Sequence, residues 1–284
     1  MSVHLIAAMG DLHAGSTRAV SPPDGIELDD GGHMTPNKVQ AWLYSLWQDA
    51  WHVQFSALLD RYKPDQITVL LNGDLIEGHH HGSPQSAPLV GQHFRAAHEL
   101  LKLGPLKYKP NYIHLIRGTE AHDGRVGELM EGLARTLRAE GSEMIQDPDT
   151  AQWSSFWRRV EIDGNLIDCR HHGRFGQRMH TKDSYIRLYA HDVWEAHVRS
   201  GERPPDLCFR SHHHNYGDSG RIVDLPTRVI ALPAWQTLTS FGHRIAIEDL
   251  GKHGIVVVPI RDGVILEPHP ILYEPTRPTV VSTA

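Results

Sequence analysis

Carboxylate and imidazole side chains recur directly after the apolar runs of this 284-residue chain. The segment GDLHAG carries Asp11 and His13, and alternate residues of an extended segment point the same way, so both can hold one ion. The segment NGDLIEG supplies Asp74, and the segment SHHHN supplies His212 and His214 with the same alternation. Carboxylate oxygens and imidazole nitrogens are ligands of divalent transition metals. The pattern therefore predicts a metal centre.

Two further apolar runs end in the same way. In the segment LIRGTEAHDG, Glu120, His122 and Asp123 follow a glycine, and the later segment HHG contains His172. Histidine also changes its protonation near neutral pH, so these side chains can move protons as well as bind metal. One such segment alone is a weak indication, but five in order favour a shared site over unrelated helix caps and surface histidines.

The elements that must position these side chains follow from the periodicity. Residues 3–8, 67–71 and 112–116 are short apolar runs and are predicted to be strands. Between the first two, apolar residues recur at three- and four-residue spacing, which is typical of a helix. That helix is predicted to begin with Thr35 as its N-cap and Pro36 in its first turn. Alternation of strands and helices predicts α/β layers.

The second half of the chain changes to hairpins, with predicted turns at the Asp-Gly pairs 163–164 and 262–263. Together the elements predict an α/β fold in which two packed mixed β-sheets are flanked by helices. One domain is expected over residues 1–274, followed by a tail at 275–284. Ligands of open α/β sheets bind beyond the carboxyl ends of the strands, which is where the candidate metal ligands lie.

The composition is ordinary for a globular protein, with 40% hydrophobic residues. The net charge of −6 gives no global positive field that would recruit nucleic acid. Cys169 and Cys208 lie in apolar segments and are predicted to be reduced core thiols. The sequence shows no signal peptide and no apolar run of about 18 residues, so we expect a cytoplasmic protein without a membrane partner.

The ordered motifs resemble the calcineurin-like metallophosphoesterase family, whose pattern runs D-x-H, G-D, G-N-H-(D/E), H and G-H-x-H. The match spans residues 10–214, and its Gly-Thr-Glu-Ala-His variant resembles phage and prophage members. The resemblance implies a four-layer αββα sandwich with two divalent metal ions. Mixed nitrogen and oxygen ligands favour manganese, with iron or zinc as alternatives. The implied ligands are Asp11, His13 and His214 for one ion, His172 and His212 for the other, and Asp74 as the bridge.

The segment after Gly118 departs from the family pattern, because it contains no asparagine. In the favoured placement, Glu120 supplies the oxygen ligand that asparagine gives elsewhere, and His122 is the family's catalytic histidine. In the other placement, Thr119 stands at the asparagine position. A carboxylate is the better replacement for an amide oxygen, which favours Glu120. Asp123 is expected to orient His122.

The resemblance implies that a metal-bridged hydroxide attacks phosphorus, while His122 protonates the leaving oxygen as general acid. Strand alternation predicts that His171 points away from the metals. Three arginines near the motifs are candidates for binding phosphate through a planar guanidinium. These candidates are Arg117, Arg125 and Arg174.

Three functions are compatible with the motifs. The leading one is a phosphodiesterase acting on a nucleotide or nucleic-acid diester. The second is a phosphomonoesterase or protein phosphatase, which would accept only a terminal phosphate. The third is a non-catalytic binding module on the same fold, supported by the missing asparagine and opposed by the presence of the other implied ligands.

Overall fold

The computed structural model describes residues 2–80, 82, 84–174, 182–239 and 251–275. The strands are β1 (Val3–Met9), β2 (Ile26–Glu27), β3 (His33–Met34), β4 (Gln66–Asn72), β5 (Tyr112–Ile116), β6 (Ser154–Ser155), β7 (Trp157–Ile162), β8 (Asn165–Arg170), β9 (Leu207–Arg210), β10 (Gly217–Asp218), β11 (Arg228–Ala231), β12 (His253–Arg261), β13 (Val264–Ile265) and β14 (His269–Tyr273). The helices are α1 (Lys38–Gln48), α2 (Ser56–Tyr62), α3 (Val90–Leu103), α4 (Glu120–Asp123), α5 (Glu128–Ala139) and α6 (Lys182–Arg199), with a π-helical segment, Asp49–Phe55, joining α1 to α2.

The first sheet has the strand order β13-β12-β1-β4-β5-β6, and β14 also pairs with β12. Strands β1, β4, β5 and β6 are parallel, so their carboxyl ends lie along one edge. Strand β1 is buried at every residue, as its continuous run VHLIAAM requires of a strand covered on both faces. This edge carries the first group of candidate ligands.

The second sheet has the strand order β10-β11-β9-β8-β7. Strands β8, β9 and β11 are parallel, while β7 runs antiparallel to β8. The turn between β7 and β8 has φ of 47° at Asp163 and 79° at Gly164, the left-handed pair that a type I′ hairpin needs. The predicted hairpin is therefore confirmed.

The side chains of β1 show how the layers stack, because they alternate between two apolar clusters. Leu5 packs on the helix side with Trp47 of α1, whereas Ile6 packs between the sheets with Phe209 of β9. A third cluster places Ile186 of α6 on the outer face of the second sheet. The order helix, sheet, sheet, helix confirms the predicted fold class.

Helix α1 begins later than predicted. Its N-cap is Asn37, whose side-chain oxygen accepts hydrogen bonds from the backbone N–H groups of Val39 and Gln40 at 2.9 and 3.0 Å. The Gln40 side chain accepts in return from the Asn37 N–H at 3.0 Å, which completes a capping box. The predicted start at Thr35-Pro36 is wrong because this reciprocal cap fixes the first turn two residues further on.

Both cysteines are buried and unpaired, and they lie in different layers. Cys169 belongs to the cluster between the sheets and Cys208 to the cluster under α6. Within the described ranges, no helix has the length and apolar character needed to cross a membrane. The predicted tail lies outside the described residues from position 276 onward.

Candidate metal centre

The carboxyl ends of parallel strands from both sheets meet at one site. Asp11 and His13 follow β1, Asp74 follows β4, and the histidines after β8 and β9 approach from the second sheet. Their ligand atoms form groups in which all members lie within 4.8 Å of one another. Three of these groups share members and make up the centre: Asp11, His13 and His214; His13, Asp74 and His122; Asp74, His171 and His212.

The backbone at the centre is strained. Five of its residues have positive φ, namely Asp11 (49°), His13 (48°), Asp74 (50°), His212 (75°) and His214 (52°). Non-glycine residues seldom adopt this left-handed region, which costs roughly 1–3 kcal/mol each. Such strain persists only where the surrounding structure enforces it, and here it turns five polar side chains toward one point.

Asp74 lies at the middle of the centre and is fixed by the segment after β5. The backbone N–H and hydroxyl of Thr119 donate to its Oδ1 at 2.6 and 3.0 Å. The Nε2 atom of His171 lies 3.0 Å from its Oδ2. A side chain at Gly118 would collide with the Asp74 carboxylate, so glycine is required there for close approach.

One carboxylate oxygen of Asp11 accepts a hydrogen bond, and the other accepts none. Its Oδ2 accepts a hydrogen bond from the backbone N–H of His212 at 2.9 Å. Its Oδ1 lies 3.5 Å from Nε2 of His214 and 3.8 Å from Nε2 of His171. Among the described residues, buried Asp11 Oδ1 has no hydrogen-bond partner, while His171 Nε2 lies between it and Asp74 Oδ2. An unsatisfied buried carboxylate oxygen that faces imidazole nitrogens in this way fits a bound cation.

Glu77 is a buried carboxylate that orients the histidines around it. It accepts hydrogen bonds from His13 Nδ1 and His80 Nε2, each at 3.1 Å, and from Gln236 Nε2 at 2.9 Å. Because His13 donates through Nδ1, its Nε2 faces the centre, 3.0 Å from Nε2 of His214. A carboxylate behind a histidine is the usual way in which proteins orient a metal-binding imidazole.

The pKa values at the centre show that its buried carboxylates are stabilised by positive charge on neighbouring histidines. Burial alone would raise the pKa of Asp74, but the charge of His171 holds that pKa well below its usual value. Burial alone would lower the pKa of His171, yet the carboxylates of Asp74 and Asp11 raise it to about 9. In the same way, Asp11 and Glu77 overcome burial and raise the pKa of His13 to about 10. In this state, protons on imidazoles balance the buried carboxylates.

The remaining imidazoles are in the metal-binding form. Burial lowers the pKa of His212 and of His214 to about 4, so both are neutral at neutral pH. Neutral imidazole and carboxylate are the forms that coordinate transition metals, and a bound ion would displace the protons held on the other histidines. The donor set therefore fits divalent metal.

His122 lies inside the centre, but Asp123 does not orient it as predicted. The Nδ1–H of His122 donates to the backbone oxygen of Glu77 at 2.5 Å, and its Nε2 lies 4.0 Å from Asp74 Oδ2. Asp123 instead accepts a hydrogen bond from the Gly118 N–H. Burial lowers the pKa of His122 to about 3 and raises that of Asp123 to about 8.

Several predicted residues lie elsewhere. Glu120 is exposed at the start of α4, and Thr119 contacts Asp74 in its place. His172 is exposed, and buried His171 contacts Asp74 instead. The prediction that His171 points away is wrong because its Nδ1–H donates to the backbone oxygen of Asn72 in the first sheet at 2.7 Å, a contact that strand alternation does not encode.

The three candidate phosphate ligands differ in availability. Arg117 is buried, and its guanidinium donates to Ser154, to the backbone oxygen of Val126 and to Gln152. These contacts make it part of the scaffold and leave no support for phosphate binding by this residue. Arg125 and Arg174 are exposed.

The chain was compared with known proteins, and the similarity found is to the folds of solved structures. No protein-family model and no curated protein matches the chain. The chain is similar to the solved structures of a novel archaeal phosphodiesterase (14% identity, 95% of this chain and 99% of that chain, TM-score 0.44) and of Vps29 from Entamoeba histolytica complexed with zinc (11%, 94% and 99%, 0.39). It is also similar to YfcE, a phosphoesterase from E. coli (12% identity, 94% of this chain and 99% of that chain, TM-score 0.38). Identities this low transfer neither substrate nor mechanism.

Proposed function

We propose that this chain is a metal-dependent phosphoesterase of the calcineurin-like class, and that it hydrolyses phosphate diesters of the nucleotide or nucleic-acid type. The observation that supports this proposal is the position of Asp74. Its carboxylate belongs both to the group with His13 and His122 and to the group with His171 and His212. A carboxylate can bridge two ions, which an imidazole cannot do.

Bound divalent ions, manganese first and iron or zinc as alternatives, would polarise the phosphoryl oxygens and lower the pKa of the attacking water. The proposed set differs from the sequence prediction at two positions, because His171 replaces His172 and exposed Glu120 is left out. Its members are Asp11, His13 and His214 for one ion, His171 and His212 for the other, and Asp74 for both.

His122 is the proposed proton donor to the leaving oxygen. Its Nδ1 is committed to the Glu77 carbonyl, so Nε2 is the atom that faces the centre. With its pKa lowered to about 3, Nε2 carries no proton at neutral pH in this state. A bound phosphate anion would favour protonation of the neighbouring imidazole, which would convert it into an acid.

The arginine contacts favour a diester over a monoester. A terminal phosphate carries more negative charge than a diester and needs more cationic partners. The Arg117 guanidinium is already bonded within the scaffold, so it does not supply that charge. Exposed Arg125 and Arg174 are the proposed phosphate contacts.

The test compares cleavage of bis-p-nitrophenyl phosphate and p-nitrophenyl phosphate with manganese added. We expect diester cleavage that Asp74→Asn reduces by at least about 10³-fold, because several kcal/mol of charge stabilisation are lost. Asparagine suits the left-handed backbone at this position, so the variant should fold. Preference for the monoester would indicate a phosphatase, and absence of both cleavage and bound metal would indicate a binding module.

The role of His122 is tested with leaving groups of increasing pKa. If His122 is the acid, His122→Ala should slow poor leaving groups by about 10²–10⁴-fold and p-nitrophenolate much less. Metal content should stay that of the wild type. An equal loss on all leaving groups, together with loss of metal, would instead make Nε2 a ligand.

A further inference from the structure

A fourth group of ligand atoms lies beside the candidate metal centre and belongs to neither of the two proposed ions. It consists of Glu77, His80 and His122, whose ligand atoms lie within 4.8 Å of one another. Only His122 also occurs in a group of the centre, where it lies with His13 and Asp74. Two imidazoles and one carboxylate are a set of three protein ligands that holds zinc in other proteins. The fourth group therefore has the donor chemistry of a further zinc site.

The loop that carries Glu77 and His80 is packed tightly against the helix that carries His122. The Glu77 backbone N–H donates to the Ala14 oxygen at 2.9 Å, which holds the loop to the segment after β1. The next residue, Gly78, has φ of 65°, and a side chain on it would collide with the backbone of α4 beside His122. The backbone itself therefore brings the members of the fourth group together.

The two oxygens of the Glu77 carboxylate have different partners. Oε2 accepts hydrogen bonds from His13 at 3.1 Å and from Gln236 at 2.9 Å. Oε1 instead lies 3.1 Å from Nε2 of His80. The ring of His80 lies against that of His122, with ring centres 4.1 Å apart and ring planes at 74°. An ion bound through Oε1 and the two imidazoles would therefore leave the hydrogen bond to His13 in place.

The fourth group is partly open to solvent, so an ion can enter it. The side chain of His80 is 15% exposed and that of His122 is 11% exposed. Zinc binds nitrogen and oxygen ligands more tightly than manganese does. An ion here would lie near the two proposed ions of the centre, because His122 borders both sites, and like charges repel. We therefore expect this site to fill only when free zinc is higher than the centre itself requires.

We propose that Glu77, His80 and His122 form an inhibitory zinc site, which stops the phosphoesterase when free zinc rises. The Nδ1–H of His122 donates to the Glu77 carbonyl, which leaves Nε2 to give the proton to the leaving oxygen. Zinc on Nε2 would occupy that atom, and zinc on Nδ1 would break the hydrogen bond that orients the ring. In both cases His122 no longer acts as the acid. The inference rests on the proposed function for the role of His122, and on the fourth group for the site.

The site itself is tested by counting bound ions, which needs no activity. Manganese-loaded protein is dialysed against increasing free zinc, and manganese and zinc per chain are measured together by mass spectrometry. We expect the wild type to gain one ion per chain and His80→Ala to gain none. His79→Ala is the matched control, because this adjacent exposed histidine belongs to none of the ligand groups of the described residues and should behave as the wild type. Equal counts in the wild type and His80→Ala would overturn the inference, whether or not any ester is cleaved.

Inhibition is tested on diesters with leaving groups of increasing pKa, at low and at high free zinc. Because zinc would remove only the acid, we expect kcat/KM of the wild type and of His79→Ala to fall by about 10²–10⁴-fold on poor leaving groups and much less on p-nitrophenolate. His80→Ala should change by less than about twofold between the two zinc concentrations, because it lacks the site. Equal inhibition on all leaving groups, or equal inhibition of His80→Ala, would overturn the inference and leave the phosphoesterase intact.

Discussion

The two sheets contribute different halves of the candidate metal centre. The edge of the first sheet supplies the carboxylates, and the side chains of Asp11, Asp74 and Glu77 there are at most 2% exposed. The edge of the second sheet supplies imidazoles, of which His212 is exposed and His214 has a side chain 32% exposed. The first half is buried and hydrogen-bonded, whereas His212 and His214 of the second half are partly exposed.

This difference indicates how the centre assembles. Buried carboxylates need charge partners, and the first half already has them in protonated His13 and His171. The second half has neutral imidazoles, which is the form that coordinates a metal ion. We infer that the first-sheet edge is preorganised by the fold, and that metal completes the second-sheet edge.

The sharpest test of this division is His171, which comes from the second sheet but is buried with the first. We expect His171→Ala to lower kcat/KM by more than about 10²-fold and to reduce bound metal, since loss of a ligand should exceed the loss of an outer partner. The variant also leaves Asp74 without its closest imidazole.

His172→Ala is the matched control on the adjacent residue. Its side chain is exposed, so we expect kcat/KM within about threefold of the wild type, in line with the small effects of surface substitutions. Metal content is measured by mass spectrometry beside the kinetics. A large effect of His172→Ala and a small effect of His171→Ala would assign the ligand to His172, and the division between the two edges would fail.

Glu77→Gln tests whether the first half is preorganised. Glutamine keeps the size of the side chain but removes the charge that holds His13 and His80. We expect metal affinity to fall by about 10–100-fold, as for other residues that orient a ligand. The pKa of Glu77 lies far below its usual value, because hydrogen bonds from His13 and His80 outweigh burial.

The pH dependence of that effect follows from the sign of the shift. Glu77 is ionised throughout neutral pH, but its charge also helps to raise the pKa of His13 to about 10, and a metal ion must displace that proton. The ratio of wild-type to variant metal affinity should therefore rise with pH between about pH 6 and pH 9. The contribution of Glu77 to the free energy of unfolding is present above the unfolded pKa and is lost as the pH falls toward the lower folded pKa. A ratio that does not change with pH would show that Glu77 does not control the protonation of His13.

The smallest expected effect concerns the segment after β5. Thr119→Val removes the hydroxyl that donates to Asp74, and we expect about a tenfold loss of kcat/KM from that one charge-assisted hydrogen bond. Glu120→Gln should stay within about twofold, because the Glu120 side chain is exposed. The reverse order of effects in a steady-state assay would return the ligand role to Glu120.

The fold could be predicted from the sequence because strands, helices and Asp-Gly turns are encoded locally. Asp11 and His13 lie together as predicted, but left-handed backbone at both residues brings them together, and not alternation along an extended segment. The sequence could not show that His171 takes the place predicted for His172, because this depends on a hydrogen bond from His171 to the backbone oxygen of Asn72 in the other sheet. Glu120 was misplaced for a related reason: the segment forms the short helix α4, whose side chains fan out instead of alternating.

The left-handed backbone of the centre also has a consequence for engineering. At Asp11, His13, Asp74, His212 and His214, glycine would adopt the observed φ at lower cost than the residues present. At Asp11 and Asp74 this gain would be offset, because their carboxylates balance buried protonated His13 and His171. Libraries screened only for heat resistance would therefore enrich glycine at His212 and His214 first, and would discard these candidate metal ligands. A screen for more heat-resistant variants of this protein therefore needs a simultaneous selection for metal binding. At these residues, relief of the backbone strain and retention of the metal-binding side chain require different amino acids.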